Sequence, residues 1–178
     1  MQMDANLKTG IWRQFGAVID YLGATIRACP DHLWLSPLWG NPNEQPGFAQ
    51  FWYRAYHTLF WLDVYLYGTE EGFLPPEPFA LIEQDDGAWV VPERAYTKDE
   101  VLSYLDYGRE KCRSTIEALT GDTLQRRHVF GWGECSFLEL LIFNLRHVQE
   151  HAAQLNLFLG QQGVDAPNYR TRLREETG

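Results

Sequence analysis

The stretch Phe137 to Gln162, "FLELLIFNLRHVQEHAAQLNLFLGQQ", constrains this chain more than any other. Leu141, Leu145, Val148, Ala152, Leu155 and Leu159 recur at alternating spacings of four and three, the seam of a helix packed in a bundle. Ser136 with Glu139 forms an S-x-x-E capping box at its start, and Gly163 ends it. A chain with one such helix needs partner helices to cover the seam.

Three further segments have helical periodicity. Ile11 to Cys29 places Ile11, Phe15, Val18, Ile19, Leu22 and Ile26 on one face and stops at Pro30. Phe48 to Tyr67, "FAQFWYRAYHTLFWLDVYLY", is apolar almost all round, as a buried helix must be, with Gly68 as its stop. Lys98 to Leu119 opens on a T-x-x-E box, Thr97 with Glu100. Between the second and third helices the residues "TEEGFLPPEPFALIEQDDGAWVVPERAY" contain Pro-Pro and Asp-Asp-Gly and cannot continue a helix, so this is a long crossover. The stretches after Pro30 and around "LQRRHVFGWGEC" read as loops. The predicted fold is all-α, a four-helix bundle with a long crossover between helices 2 and 3. It is expected as a single domain over 1–178, with a core of about 11–163 and a tail, 164–178, that frays.

The totals exclude several functions. Fifteen Lys+Arg against 24 Asp+Glu leave a formal charge of −9, wrong for a surface that must meet phosphate. The short basic clusters, Arg126-Arg127-His128 and Arg170, Arg172, Arg174, lie among acids. No nucleic-acid partner is expected, and no membrane, since no apolar run approaches the roughly 20 residues of a span. Cys29, Cys112 and Cys135 are odd in number and form no C-x-x-C, and the start, Met1-Gln2-Met3-Asp4, has neither a basic nor an apolar leader. The expectation is a cytoplasmic protein with reduced thiols.

His147 and His151 are an i, i+4 pair, one above the other on one helix face. Leu140 and Phe158 share their azimuth, so the pair is at least partly buried, and buried imidazoles need a metal, an acid or water to satisfy them. On its own, H-x3-H fits a hydrogen-bonded pair as well as a metal site. His57, mid-helix in the second helix, adds a third imidazole that can meet the pair across a bundle core. Three histidines with an open fourth position make the catalytic type of zinc site. His32 and His128 fall in loops and receive no role. "HVQEH" also fits the inverted zinc-protease pattern H-x-x-E-H, but only 27 residues follow His151 and Glu150 lies about 100° round the helix. The di-iron pattern Glu-x-x-His does not occur. Trp52, Trp61 and Trp132 are candidates for an apolar pocket wall. Asp63 is either a partner to an imidazole or, the favoured reading, a helix-to-loop salt bridge.

His57, the long crossover, and "RHVQEHAAQLNLFLGQQGVDAP" together resemble the DinB-like (DinB/YfiT-like) superfamily, whose signature is a His on the second helix and H-x3-H on the last. The resemblance implies a bundle of unusual crossover order and a divalent metal, zinc, nickel or similar, on His57, His147 and His151. It also implies a homodimer and, in some relatives, S-transferase or isomerase activity on a small-molecule substrate with a low-molecular-weight thiol. The expected function is therefore a metal-dependent thiol transferase or hydrolase. The alternative is a non-catalytic, metal-stabilised bundle that serves binding or stress response.

Overall fold

The computed structural model describes residues 5–40, 45, 47–81 and 90–173. Its helices are α1 (Ala5–Ala28), α2 (Phe51–Tyr67), α3 (Lys98–Glu117), a short α4 (Gly121–Gln125) and α5 (Phe137–Gln161). The all-α expectation holds, and the four long helices are those read from periodicity. Their ends differ by a few residues, and most at α1, which begins at Ala5 rather than Ile11. Thr97 and Glu100 make the full reciprocal capping box. At α5 only one half forms: Ser136 Oγ accepts from the Glu139 amide at 3.2 Å.

Packing, not chain order, sets the neighbours. α2 packs on α3 and α5, and α1 packs on α3 and α5. Going round the bundle the order is α1, α3, α2, α5. Consecutive helices α1 and α2 therefore lie on a diagonal, which their long connection permits. α2 is buried along nearly its whole length, as its all-round apolar sequence requires.

Two loop readings need correction. The segment after α4 contains an antiparallel hairpin, β1 (Arg127–Phe130) with β2 (Gly133–Ser136). Its four-residue strands are too short for a period of two to stand out. Phe130 is its anchor, buried edge-on against Tyr65 at 5.3 Å between ring centres. The tail does not fray through Leu173. It runs back along α1: the Leu173 amide donates to Arg13 O at 2.9 Å, Gln14 Nε2 donates to Thr171 O, and Tyr169 sits edge-on to Tyr21.

Asp63 does form the favoured salt bridge, but with a helix rather than a loop, and it is no partner to the imidazoles. It is fully buried and joins α2 to α3, accepting from Tyr104 Oη at 3.0 Å and pairing with Lys111 Nζ. Six residues after His57, it has turned about 240° round the helix and cannot reach the imidazoles. Lys111 lies over the rings of Tyr67, Phe73 and Tyr107, so its stem and charge are held among aromatics. His128 also has a structural place. Its Nδ1–H donates to Gly68 O at 2.7 Å, closing the end of α2. Gly68 is left-handed (φ 95°), and a Cβ there would stand 2.6 Å from the His128 ring, so two independent constraints demand glycine.

Candidate metal centre

The packing of α2 on α5 brings His57 to His147 and His151. His57 Nε2 and His147 Nε2 are 3.4 Å apart, and one ligand atom from each of the three rings lies within 4.8 Å of the other two. His57 and His151 are each only 8% exposed, and His147 is half-buried. Asn144, one turn before the pair on α5, fixes the helix spacing. Its Nδ2 donates to Leu62 O across the seam at 3.1 Å. The sequence reading missed Asn144, although a buried amide in an apolar seam is a signal for such a cross-helix bond.

Each ring is held toward its neutral form. His57 is pushed well below its ordinary value by burial, then by the Arg54 guanidinium and the two other imidazoles. His147 is pushed down to about 3, by burial first and then by His151 and Arg54. His151 is lowered by burial and by Arg54, against the opposing pull of its bond to Gln154 and the charge of Glu150. Neutral imidazoles carry the lone pairs that a metal needs.

Gln154 settles which lone pair His151 offers. Its Oε1 stands 2.8 Å from His151 Nδ1 and can only accept, so Nδ1 carries the hydrogen and Nε2 the lone pair. Gln154 Nε2 in turn donates to Glu150 Oε1 at 3.4 Å. Glu150 is thus an exposed acid that acts through Gln154, in keeping with its azimuth. Gln154 is a second residue that sequence reading passed over, though its i+3 spacing from His151 made it a candidate.

The donor set fits a divalent ion. With Zn–N bonds of about 2.0–2.1 Å, two ligands of a tetrahedron stand roughly 3.3–3.4 Å apart. The His57–His147 nitrogen separation of 3.4 Å matches that edge, and a ligand atom of His151 lies within 4.8 Å of both. His147 Nδ1 is buried without a hydrogen-bond partner among the described residues, the kind of polar group that needs a compensating interaction nearby.

Aromatic rings wall the cluster. Trp61 lies 6.5 Å from His57 and stacks on Tyr65 at 5.2 Å, and Tyr65 meets His147 edge-on at 6.0 Å. Trp132, at the hairpin tip, stacks on Phe130 and touches Phe143. Trp52 does not join this wall. Its Nε1 donates to Gln50 Oε1 at 2.6 Å and its ring packs in the core against Tyr96. The three cysteines are buried, unbridged and away from the imidazoles; burial pushes the Cys29 thiol up to about 12. The basic clusters are tied to acids, Arg127 to Glu134 at 2.7 Å and Arg170 near Asp20 at 3.9 Å. Among the described residues no helix is long and apolar enough to cross a membrane.

Known proteins bear on this geometry in three ways. The crystal structure of a DinB-like protein, YjoA, from Bacillus subtilis matches with a TM-score of 0.63 at 16% identity, over 92% of this chain and 99% of that one, a likeness of fold. No curated protein matches the chain. The DinB superfamily model matches residues 14–155, a span that includes α2 and all three imidazoles, and the chain belongs to the DinB superfamily.

Proposed function

We propose that His57, His147 and His151 hold a divalent metal ion, zinc, nickel or similar, and that the protein is a metal-dependent enzyme acting on a small molecule as a thiol S-transferase or a hydrolase. The observation that carries the reading is the convergence of three neutral imidazoles from two helices on one buried point. A divalent ion there supplies Lewis acidity, lowering the pKa of a thiol or water at its fourth position so that a nucleophile exists at neutral pH.

The chain's own residues do the rest. Burial keeps the three rings neutral at physiological pH, so protons do not compete for the donor atoms. Gln154 holds the His151 tautomer. Asn144 holds α5 against α2, and therefore the pair against His57. Trp61 and Tyr65 exclude water from one side of the cluster. The resemblance also brings a homodimer. The exposed apolar strip of Leu7, Leu138 and Ile142 between α1 and α5 is the face we propose for the second copy.

The test is metal per chain in untagged protein. About one ion per chain in wild type, lost in His57→Ala, supports the reading; an unchanged metal content in His57→Ala refutes the three-ligand set. Retained metal with no thiol or water chemistry would instead favour the alternative, a metal-stabilised binding module.

A further inference from the structure

The ends of α2 and α3, the short α4, the start of β1 and the first turn of α5 enclose a cavity of about 280 Å³. It stands well away from the imidazoles. Leu66 on its wall follows His57 on α2, and Phe137 precedes His147 on α5, by roughly 14 Å along either helix. Leu66, Ala118, Leu119 and Phe137 make the wall apolar, and Arg126, His128 and Thr115 add polar groups to it. Arg126 and His128 share the cavity because an extended backbone sends alternate side chains to one face. Arg126 is extended (φ −57°, ψ 140°) and leads into β1, where buried Phe130 continues the same row. Its backbone is held on both sides: the amide donates to Thr123 O at 3.2 Å, and the carbonyl accepts from the Phe137 amide at 2.9 Å.

The fold does not use these polar side chains fully. Arg127, the next residue, turns out to Glu134, whereas among the described residues Arg126 has no acid partner and the Thr115 hydroxyl no hydrogen bond. His128 gives its Nδ1–H to Gly68 O, so in the neutral ring Nε2 is an acceptor only. Among the described residues no acid lines the cavity. The ends of α2 and α3 each bring about half a negative charge and the start of α5 about half a positive one, so the full charge of Arg126 decides the sign. An open guanidinium beside an apolar wall suits a ligand with a carboxylate at one end and hydrocarbon at the other. The volume falls just under the roughly 300–1,000 Å³ of pockets for drug-sized ligands, so the ligand must be small. We propose that this end of the bundle is a second ligand site, for a small carboxylate with an apolar body. The Arg126 fork receives the carboxylate, the Thr115 hydroxyl adds a donor, and the body lies against Leu66, Leu119 and Phe137. Binding forms and breaks no covalent bond and is independent of the metal reading above.

The experiment titrates the full chain with phenylacetate, its neutral isostere phenylacetamide, and acetate, following the His128 ring and the Arg126 and Ala118 amides by NMR. In wild type phenylacetate should shift these signals and bind about five- to tenfold more tightly than the amide, the worth of a charged hydrogen bond that water partly screens. Acetate, which has almost no apolar surface to bury, should bind at least about tenfold more weakly than phenylacetate. In Arg126→Gln the preference over the amide should fall to about twofold or less. Ala118 is exposed at the end of α3, so Ala118→Phe should fill the cavity and abolish the shifts with every probe while Tm is unchanged. It carries the test if the glutamine variant does not fold. Equal affinity of wild type for phenylacetate and phenylacetamide overturns the inference, and so does equal affinity for phenylacetate and acetate. Shifts confined to the signals of His57, His147 and His151, or binding that survives in Ala118→Phe, place the carboxylate elsewhere and overturn it as well.

Discussion

Gln154→Leu tests the site at its least obvious point. Among the described residues, the 2.8 Å bond from His151 Nδ1–H to Gln154 Oε1 fixes that ring's tautomer. Leucine is of similar bulk but accepts nothing. His151 then has two courses at a ring only 8% exposed. It can keep Nδ1–H without a partner, at about 1–3 kcal/mol. Or it can move the hydrogen to Nε2, which removes the lone pair from the cluster. Either course weakens the metal state more than the metal-free state, in which the ring can turn. Loss of such a partner behind a metal-bound histidine costs about 10–100-fold in affinity, which is roughly 1.4–2.7 kcal/mol. The assay is zinc affinity by competition with a coloured chelator, with stoichiometry measured alongside. The expected result is a weaker Kd with stoichiometry still near one, and little change in Gln154→Glu, which keeps an acceptor. A leucine variant within twofold of wild type would refute the role given to Gln154. Loss of all binding sites would show that Gln154 holds the helix rather than the ring.

Four further outcomes are expected. Asp63→Ala leaves Lys111 and Tyr104 without their buried acceptor and should cost about 3–5 kcal/mol, near 10 °C in Tm for a chain of this size, read by thermal denaturation. In the metal-free protein, stability should fall as pH drops below about 6.5, because the unfolded chain then binds protons that the folded His147, held at about 3, refuses. That ring alone contributes a slope of about 1.4 kcal/mol per pH unit, and urea unfolding in EDTA should show His147→Gln with a correspondingly shallower pH profile. His128→Ala should lose about 1 kcal/mol from the bond to Gly68 and leave metal content untouched, measured on one preparation. Sedimentation should find a dimer that Ile142→Asp dissociates; a monomeric wild type would remove the homodimer from the proposal.

Much of this was readable from the chain by itself, for local reasons. Helix periodicity, the Thr97–Glu100 box and Gly68 are properties of a few neighbouring residues, so they show in any stretch that contains them. His147 and His151 share a face because the α-helix fixes side chains four apart, whatever packs against it. The crossover was equally plain, since Pro-Pro and Asp-Asp-Gly forbid a helix. Part of that stretch, residues 82–89, lies outside the described residues.

What needed the tertiary structure is whatever depends on which helices touch. His57 became part of the cluster only because α2 packs on α5, and the order α1, α3, α2, α5 is set by burial across the whole bundle, not by any one segment. Asp63 changed from a loop-facing acid to an α2–α3 tie for the same reason: its partners, Tyr104 and Lys111, are 41 and 48 residues away. The hairpin and the docked tail gain their stability from Tyr65 and from α1, outside their own segments, so short-range pattern carried no trace of them. Periodicity names the buried face of a helix. Only packing decides which buried face it meets, and in this chain that choice brings three imidazoles together.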